Sequence, residues 1–133
     1  MTTILNASPS NGLVQTADGS GVLKVQSNGV TTNALAWVNF VGSSGTRNAS
    51  YNVSSVTRNS AGNYTINFAT ALSDANYAIS IASAYYISGS GNASVGEFYG
   101  GIRTTSAIQI AMQNSAQSAY QDSPIVSVCV FGN

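Results

Sequence analysis

The chain contains no histidine and a single cysteine. Without histidine, Ser-His-Asp and Cys-His nucleophile systems are excluded, as are zinc sites built on imidazole. One thiol closes no intramolecular disulfide, and the neighbours Val126, Val128, Val130 and Phe131 mark Cys129 as a core thiol rather than a reactive one. Charge is equally scarce, at 6% of 133 residues against about 25% in ordinary soluble domains. Lys24, Arg47, Arg58 and Arg103 stand singly, so no basic stripe exists for a phosphate backbone and nucleic-acid binding is not expected. No apolar run approaches the roughly 18 residues of a membrane-spanning helix, and Met1-Thr2-Thr3-Ile4-Leu5 lacks the start of a signal peptide. Neither membrane insertion nor export through a leader is expected, which leaves synthesis in a cytoplasm and release by lysis or assembly.

Carboxylates are too sparse for an evident catalytic pair. A glycan-cleaving enzyme would need two of Asp74, Glu97 and Asp122 at a defined separation, and no spacing brings two together. Asp18-Gly19-Ser20-Gly21 is half a calcium loop without the further carboxylates. The expectation is a non-enzyme with no catalytic residue, metal or cofactor. Triplets such as Asn48-Ala49-Ser50, Asn52-Val53-Ser54 and Asn63-Tyr64-Thr65 arise by chance in a chain this rich in Asn, Ser and Thr.

What is present is uncharged polarity from Ser, Thr, Asn, Gln and Gly. Little repulsion keeps copies apart, so the composition suits a homo-oligomer or a particle component, with a plain extracellular domain as the alternative. The length suffices for one core.

Apolar residues recur at a period of two. Tyr64, Ile66 and Phe68 alternate with Thr65 and Asn67, while Val53 and Val56 precede a turn at Arg58–Asn63 in which Gly62 supplies a positive φ. A second turn at Ala71–Asn76 leads into Tyr77–Tyr85, where large residues alternate with small ones able to admit another sheet or chain. Leu35–Val41 is apolar on both faces and reads as a central strand. Its Trp37, the sole tryptophan, is read as a core residue rather than a sugar platform. Gly42–Asn48 reads as an exposed loop. Thr104–Met112 sets Ile108, Ile110 and Met112 opposite Ala107, Gln109 and Ala111, and the last strand sets Val126, Val128 and Val130 opposite Ile125, Cys129 and Phe131. Gly12–Gln15 and Gly21–Gln26 read as short strands, with Asn28-Gly29 as a further turn. No helical period competes, and about six to nine strands at this spacing predict an all-β, antiparallel β-sandwich.

Tyr86–Gly101 holds the densest glycine cluster and reads as a long loop. Aromatic faces stack on the apolar side of pyranose rings while Asn and Glu accept hydroxyl protons, which makes Tyr85, Tyr86, Asn92, Glu97, Tyr99 and Arg103 the candidate ligand residues. The alternative is a solvated loop pinned by structural tyrosines.

The run Asn52-Val53-Ser54-Ser55-Val56-Thr57-Arg58, through Gly62-Asn63-Tyr64-Thr65-Ile66-Asn67-Phe68, to Leu72-Ser73-Asp74-Ala75-Asn76-Tyr77 resembles the C-terminal module of many bacteriophage tail-fibre proteins. Those often carry an upstream Trp-Val-Asn-Phe, here Trp37-Val38-Asn39-Phe40, and a final strand, here Val126–Phe131. Gly12–Lys24 is similar to a connector of phage fibre and appendage proteins, and the similar stretches cover somewhat over half the chain. The resemblance implies a virion protein, a homotrimer whose sheets meet about a threefold axis, and a host surface glycan or other virion proteins as partners. It divides the chain into residues 1–33, a tail and small hairpin for attachment or trimer entwining, and residues 34–133, a sandwich tip domain.

Overall fold

The computed structural model describes residues 26–27, 30–84, 92–98, 100–114 and 116–132, and among them no helix occurs. Its strands are β1 (Gln26–Ser27), β2 (Val30–Thr31), β3 (Ala36–Val41), β4 (Thr46–Tyr51), β5 (Val53–Ser60), β6 (Asn63–Phe68), β7 (Ala78–Ser83), β8 (Asn92–Glu97), β9 (Ala107–Asn114) and β10 (Val126–Phe131). β1 and β2 pair antiparallel with Ser27 opposite Val30; the turn expected at Asn28-Gly29 lies outside the described residues. The other strands form two antiparallel sheets of four, in the orders β4-β3-β10-β7 and β5-β6-β9-β8. The expected strand at Gly12–Gln15 and most of that at Gly21–Gln26 lie outside the described residues.

Alternation builds one core between the sheets. Ala36, Val38 and Phe40 of β3 and Val126, Val128 and Val130 of β10 point inward from the first sheet. Tyr64, Ile66 and Phe68 of β6 and Ile108, Ile110 and Met112 of β9 meet them from the second. The Phe40 and Tyr64 rings join the two layers edge to face at 5.1 Å, a geometry that sets the positive rim of one ring on the negative face of the other. β3 is an interior strand as expected, because β4 and β10 pair with its two edges.

Four local expectations are corrected. Trp37 is 38% exposed and Cys129 only partly covered, because both lie on the outer face of their sheet, opposite one another in register, and no third layer among the described residues covers that face. Thr46–Asn48, expected within the Gly42–Asn48 loop, belong to β4; as an edge strand exposed along nearly its whole length, β4 shows no apolar alternation. The β5-β6 turn is shorter than expected, only Ala61-Gly62, because Asn59 is taken up as a bulge between the Arg58↔Tyr64 and Ser60↔Asn63 pairs. Gly62 has the anticipated positive φ, 64°. Finally, the glycine-rich stretch contains β8, which pairs with β9.

Between β4 and β5 the chain crosses from one sheet to the other over a single residue. β4 ends at Tyr51, β5 begins at Val53, and Asn52 between them adopts φ 51°, a left-handed conformation that Asn tolerates better than most residues. Its amide nitrogen donates to Leu35 O and Thr70 O, both at 3.1 Å, and its Oδ1 accepts from Thr70 N at 2.7 Å. The corner therefore ties the start of β3 and the end of β6 to the crossing. Asn52→Ala should lower stability by about 2–4 kcal/mol, the sum of lost hydrogen bonds and left-handed strain, and Asn52→Gly should recover the strain component. Urea denaturation measures both; an alanine variant as stable as wild type would show that the strands alone hold the corner.

Candidate functional site

Of the expected ligand residues, Asn92, Glu97 and Arg103 are described, and they fall at one edge of the second sheet. Glu97 ends β8 opposite Ile110, and Arg103 bridges to Ile108 after the chain loops out and returns to β9. These two are brought together: Arg103 Nη1 lies 2.5 Å from Glu97 Oε2. The same guanidinium donates through Nε to Ala75 O at 3.0 Å and through Nη2 to Tyr77 O, and it stacks 4.4 Å from the centre of the Tyr77 ring. Tyr77 is buried and donates from its hydroxyl to Thr104 O at 3.1 Å. Burial pushes the Tyr77 phenol pKa up, against the opposing field of Arg103. Arg103 thus fastens the β6-β7 connection to the β8-β9 connection, and Glu97 is the more solvent-facing partner. Asn92 is placed by its backbone alone, opposite Asn114. Tyr85, Tyr86 and Tyr99 lie outside the described residues.

The other carboxylates among the described residues, Asp74 and Asp122, are separately engaged. Asp74 Oδ1 accepts from Asn76 N at 2.6 Å in the turn before β7. Asp122 is the centre of a knot that sequence spacing did not reveal. Its Oδ2 meets Arg58 Nη2 at 2.6 Å, and its Oδ1 accepts from Gly62 N at 2.9 Å and from the Tyr64 hydroxyl at 2.6 Å. Desolvation works to raise the Asp122 pKa, but the bonds from Arg58, Tyr64 and Gly62 outweigh it and hold the carboxyl below its ordinary value. The Tyr64 phenol is pushed up, first by burial and then by that bond to Asp122. Arg58 and Asp122 are 64 residues apart, so no local pattern announces the pair.

The two outer faces differ in kind. On the β5-β6-β9-β8 sheet, amides and hydroxyls bind each other. Asn59 donates to Asn63 Oδ1 and Thr65 Oγ1, both at 2.9 Å, Gln109 to Asn63 Oδ1 at 2.7 Å, and Asn67 to Ser55 Oγ at 3.0 Å. On the β4-β3-β10-β7 sheet the register sets Tyr51, Trp37, Cys129 and Ser80 in one row and Ala49, Asn39, Ser127 and Ala82 in the next. A visible signal for this wet face was Asn39, which shares its side of β3 with Trp37, and Ser127, which shares its side of β10 with Cys129.

No protein-family model, characterised protein or solved structure matches the chain.

The Asp122 knot has a pH signature. A depressed folded pKa contributes stability that is complete well above 3.8, the ordinary value, and is lost as pH falls through the lower folded value. The stability gap between wild type and Asp122→Asn should therefore narrow as pH falls from about 5 to about 2. Tyr64→Phe should cost about 1–3 kcal/mol at neutral pH. Denaturation midpoints from neutral pH down to about 2 check both, and a pH-independent gap would remove the carboxylate from the account.

Proposed function

We propose that this chain is a phage virion tail-fibre-like protein that binds the host cell surface, a polysaccharide above all, through a non-catalytic, homotrimeric β-sandwich. The observation that carries the reading is how little charge the surface offers a partner. Among the described residues, Arg58 is spent on Asp122 and Arg103 on Glu97, while Arg47 donates to Ser50 Oγ at 3.3 Å and to Val53 O. Recognition then falls to uncharged hydrogen bonds and apolar contact, which suit hydroxyl-rich glycans. The tail-fibre resemblance adds the trimer and the virion setting. Three linked sites raise avidity by about 10² or more where geometry lets them engage together, so weak single contacts suffice.

A second reading, a structural virion protein such as a capsid decoration or fibre adaptor, is favoured by β7. This strand lies at the edge of its sheet and exposes the small residues Ala78, Ser80 and Ala82, a surface that another virion chain can approach closely.

Light scattering on a size-exclusion column should give a mass of about three chains. The same protein should bind bacterial cells or their purified surface polysaccharide without releasing new reducing ends. A monomer that binds purified virion proteins and no cells would favour the second reading, and release of reducing ends would make the protein an enzyme.

A further inference from the structure

We propose that the outer face of the β4-β3-β10-β7 sheet, centred on Trp37 and Tyr51, is the platform on which an uncharged polysaccharide chain lies. The inference rests on the surface-binding reading above and gives it a site other than the Glu97–Arg103 edge.

Trp37 and Tyr51 are register partners on neighbouring strands, so their side chains stand beside each other on one face. Each is 38% exposed. Among the described residues, neither ring packs on another aromatic ring, and neither the indole N–H nor the phenol hydroxyl has a hydrogen-bond partner. Two large aromatic faces with unspent polar tips are thus presented to solvent, the combination that meets the C–H face and the hydroxyl rim of a pyranose.

The adjacent row supplies oriented amides. A register shift after Asn39 makes Asn48 the extra residue of β4, and the bulge brings its amide to Asn39. Asn48 Nδ2 donates to Asn39 Oδ1 at 2.8 Å, and Asn39 Nδ2 donates to Ser127 Oγ at 2.8 Å. This relay fixes which way each amide points and leaves the Asn48 carbonyl oxygen, the second N–H of each amide and the Ser127 hydroxyl proton available to a ligand. Both rows lack any charged residue, and Ala49, Ser80 and Ala82 keep the floor low beside the aromatic pair. A neutral, hydroxylated, extended ligand matches all of these features.

A second copy of the chain matches them less well. An interface with a second copy would seal the Asn39, Asn48 and Ser127 groups from water.

Because Trp37 is the only tryptophan, its emission, excited at the red edge where tyrosine does not absorb, reports on this face. The full-length protein would be titrated with dextran, levan and neutral O-antigen polysaccharide, with the polyanion alginate as a charged control. A saturable change in Trp37 emission is expected with a neutral polymer and not with alginate. Affinity, measured by calorimetry, should fall about tenfold or more in Trp37→Ala and in Tyr51→Ala, with partial recovery in Trp37→Phe, which also guards against misfolding. Binding that leaves Trp37 emission unchanged and survives Tyr51→Ala would overturn the platform while sparing the surface-binding function. Absence of binding to every polysaccharide and to cells would overturn both. A blue shift on concentrating the protein without ligand would overturn the platform in favour of a second copy.

Discussion

Tyr64 is the point at which the separate parts of this fold constrain one another. Its ring is fully buried and meets Phe40 of the opposite sheet, so it belongs to the apolar contact between layers. Its hydroxyl, at the other end, reaches Asp122 on the connection between β9 and β10. Asp122 in turn takes the backbone of Gly62 and the guanidinium of Arg58, fixing the β5-β6 hairpin from outside. A built Cβ on Gly42 would collide with Ser123 and come within 2.8 Å of the Tyr64 hydroxyl, and one on Gly62 would sit 2.5 Å from Met112 O. Both glycines are therefore required by close approach, and one aromatic residue with its carboxylate organises a whole end of the molecule.

That arrangement explains how a chain so poor in charge uses the little it has. A buried phenol needs an acceptor, and a carboxylate drawn toward the interior needs donors. Arg58 and Asp122 serve that requirement, and Arg103 serves a similar one around Tyr77, where it stacks on the ring and binds two backbone carbonyls. Charge is spent on joining loops to strands, and the open surfaces are left to amides, hydroxyls and exposed aromatic rings.

The same division sets what could be read from the residues in order. Val126, Val128 and Val130, and Ile108, Ile110 and Met112, declare their buried side because alternation is local and one face is always covered. The hairpin at Gly62 is legible for a similar reason, since positive φ restricts residue choice. Trp37 and Cys129 are legible only through Asn39 and Ser127, the polar residues on their sides of β3 and β10. The apolar residues around them hide that signal, and which side lacks a covering layer is decided by distant strands. β8 is masked by the glycines around it, and β4 by its exposure. Of the candidate site, the nearness of Glu97 and Arg103 shows within a few residues of sequence, whereas Asn52, Asp122 and the Asn39–Asn48–Ser127 relay depend on contacts across sheets or strands.

An outer face bearing a lone tryptophan also bears on how such a protein balances folding against function. Covering Trp37 and Tyr51 within the chain would gain the free energy of apolar burial, on the order of 25 cal/mol per Å². Leaving them in water forgoes that gain, yet the core beneath is complete without them, because Ala36, Val38 and Phe40 already fill the inner side of β3. The scaffold and the face can therefore vary independently: outward substitutions on β3, β4, β7 and β10 change what the surface meets, and inward ones change whether it folds. On the proposed reading, a sheet face offers few contacts per copy, but it orders no loop on binding and so loses little entropy. Such a face gains strength by repetition rather than by depth. On that physical ground, the neutral composition and the exposed aromatic pair fit the proposed assembly into several copies.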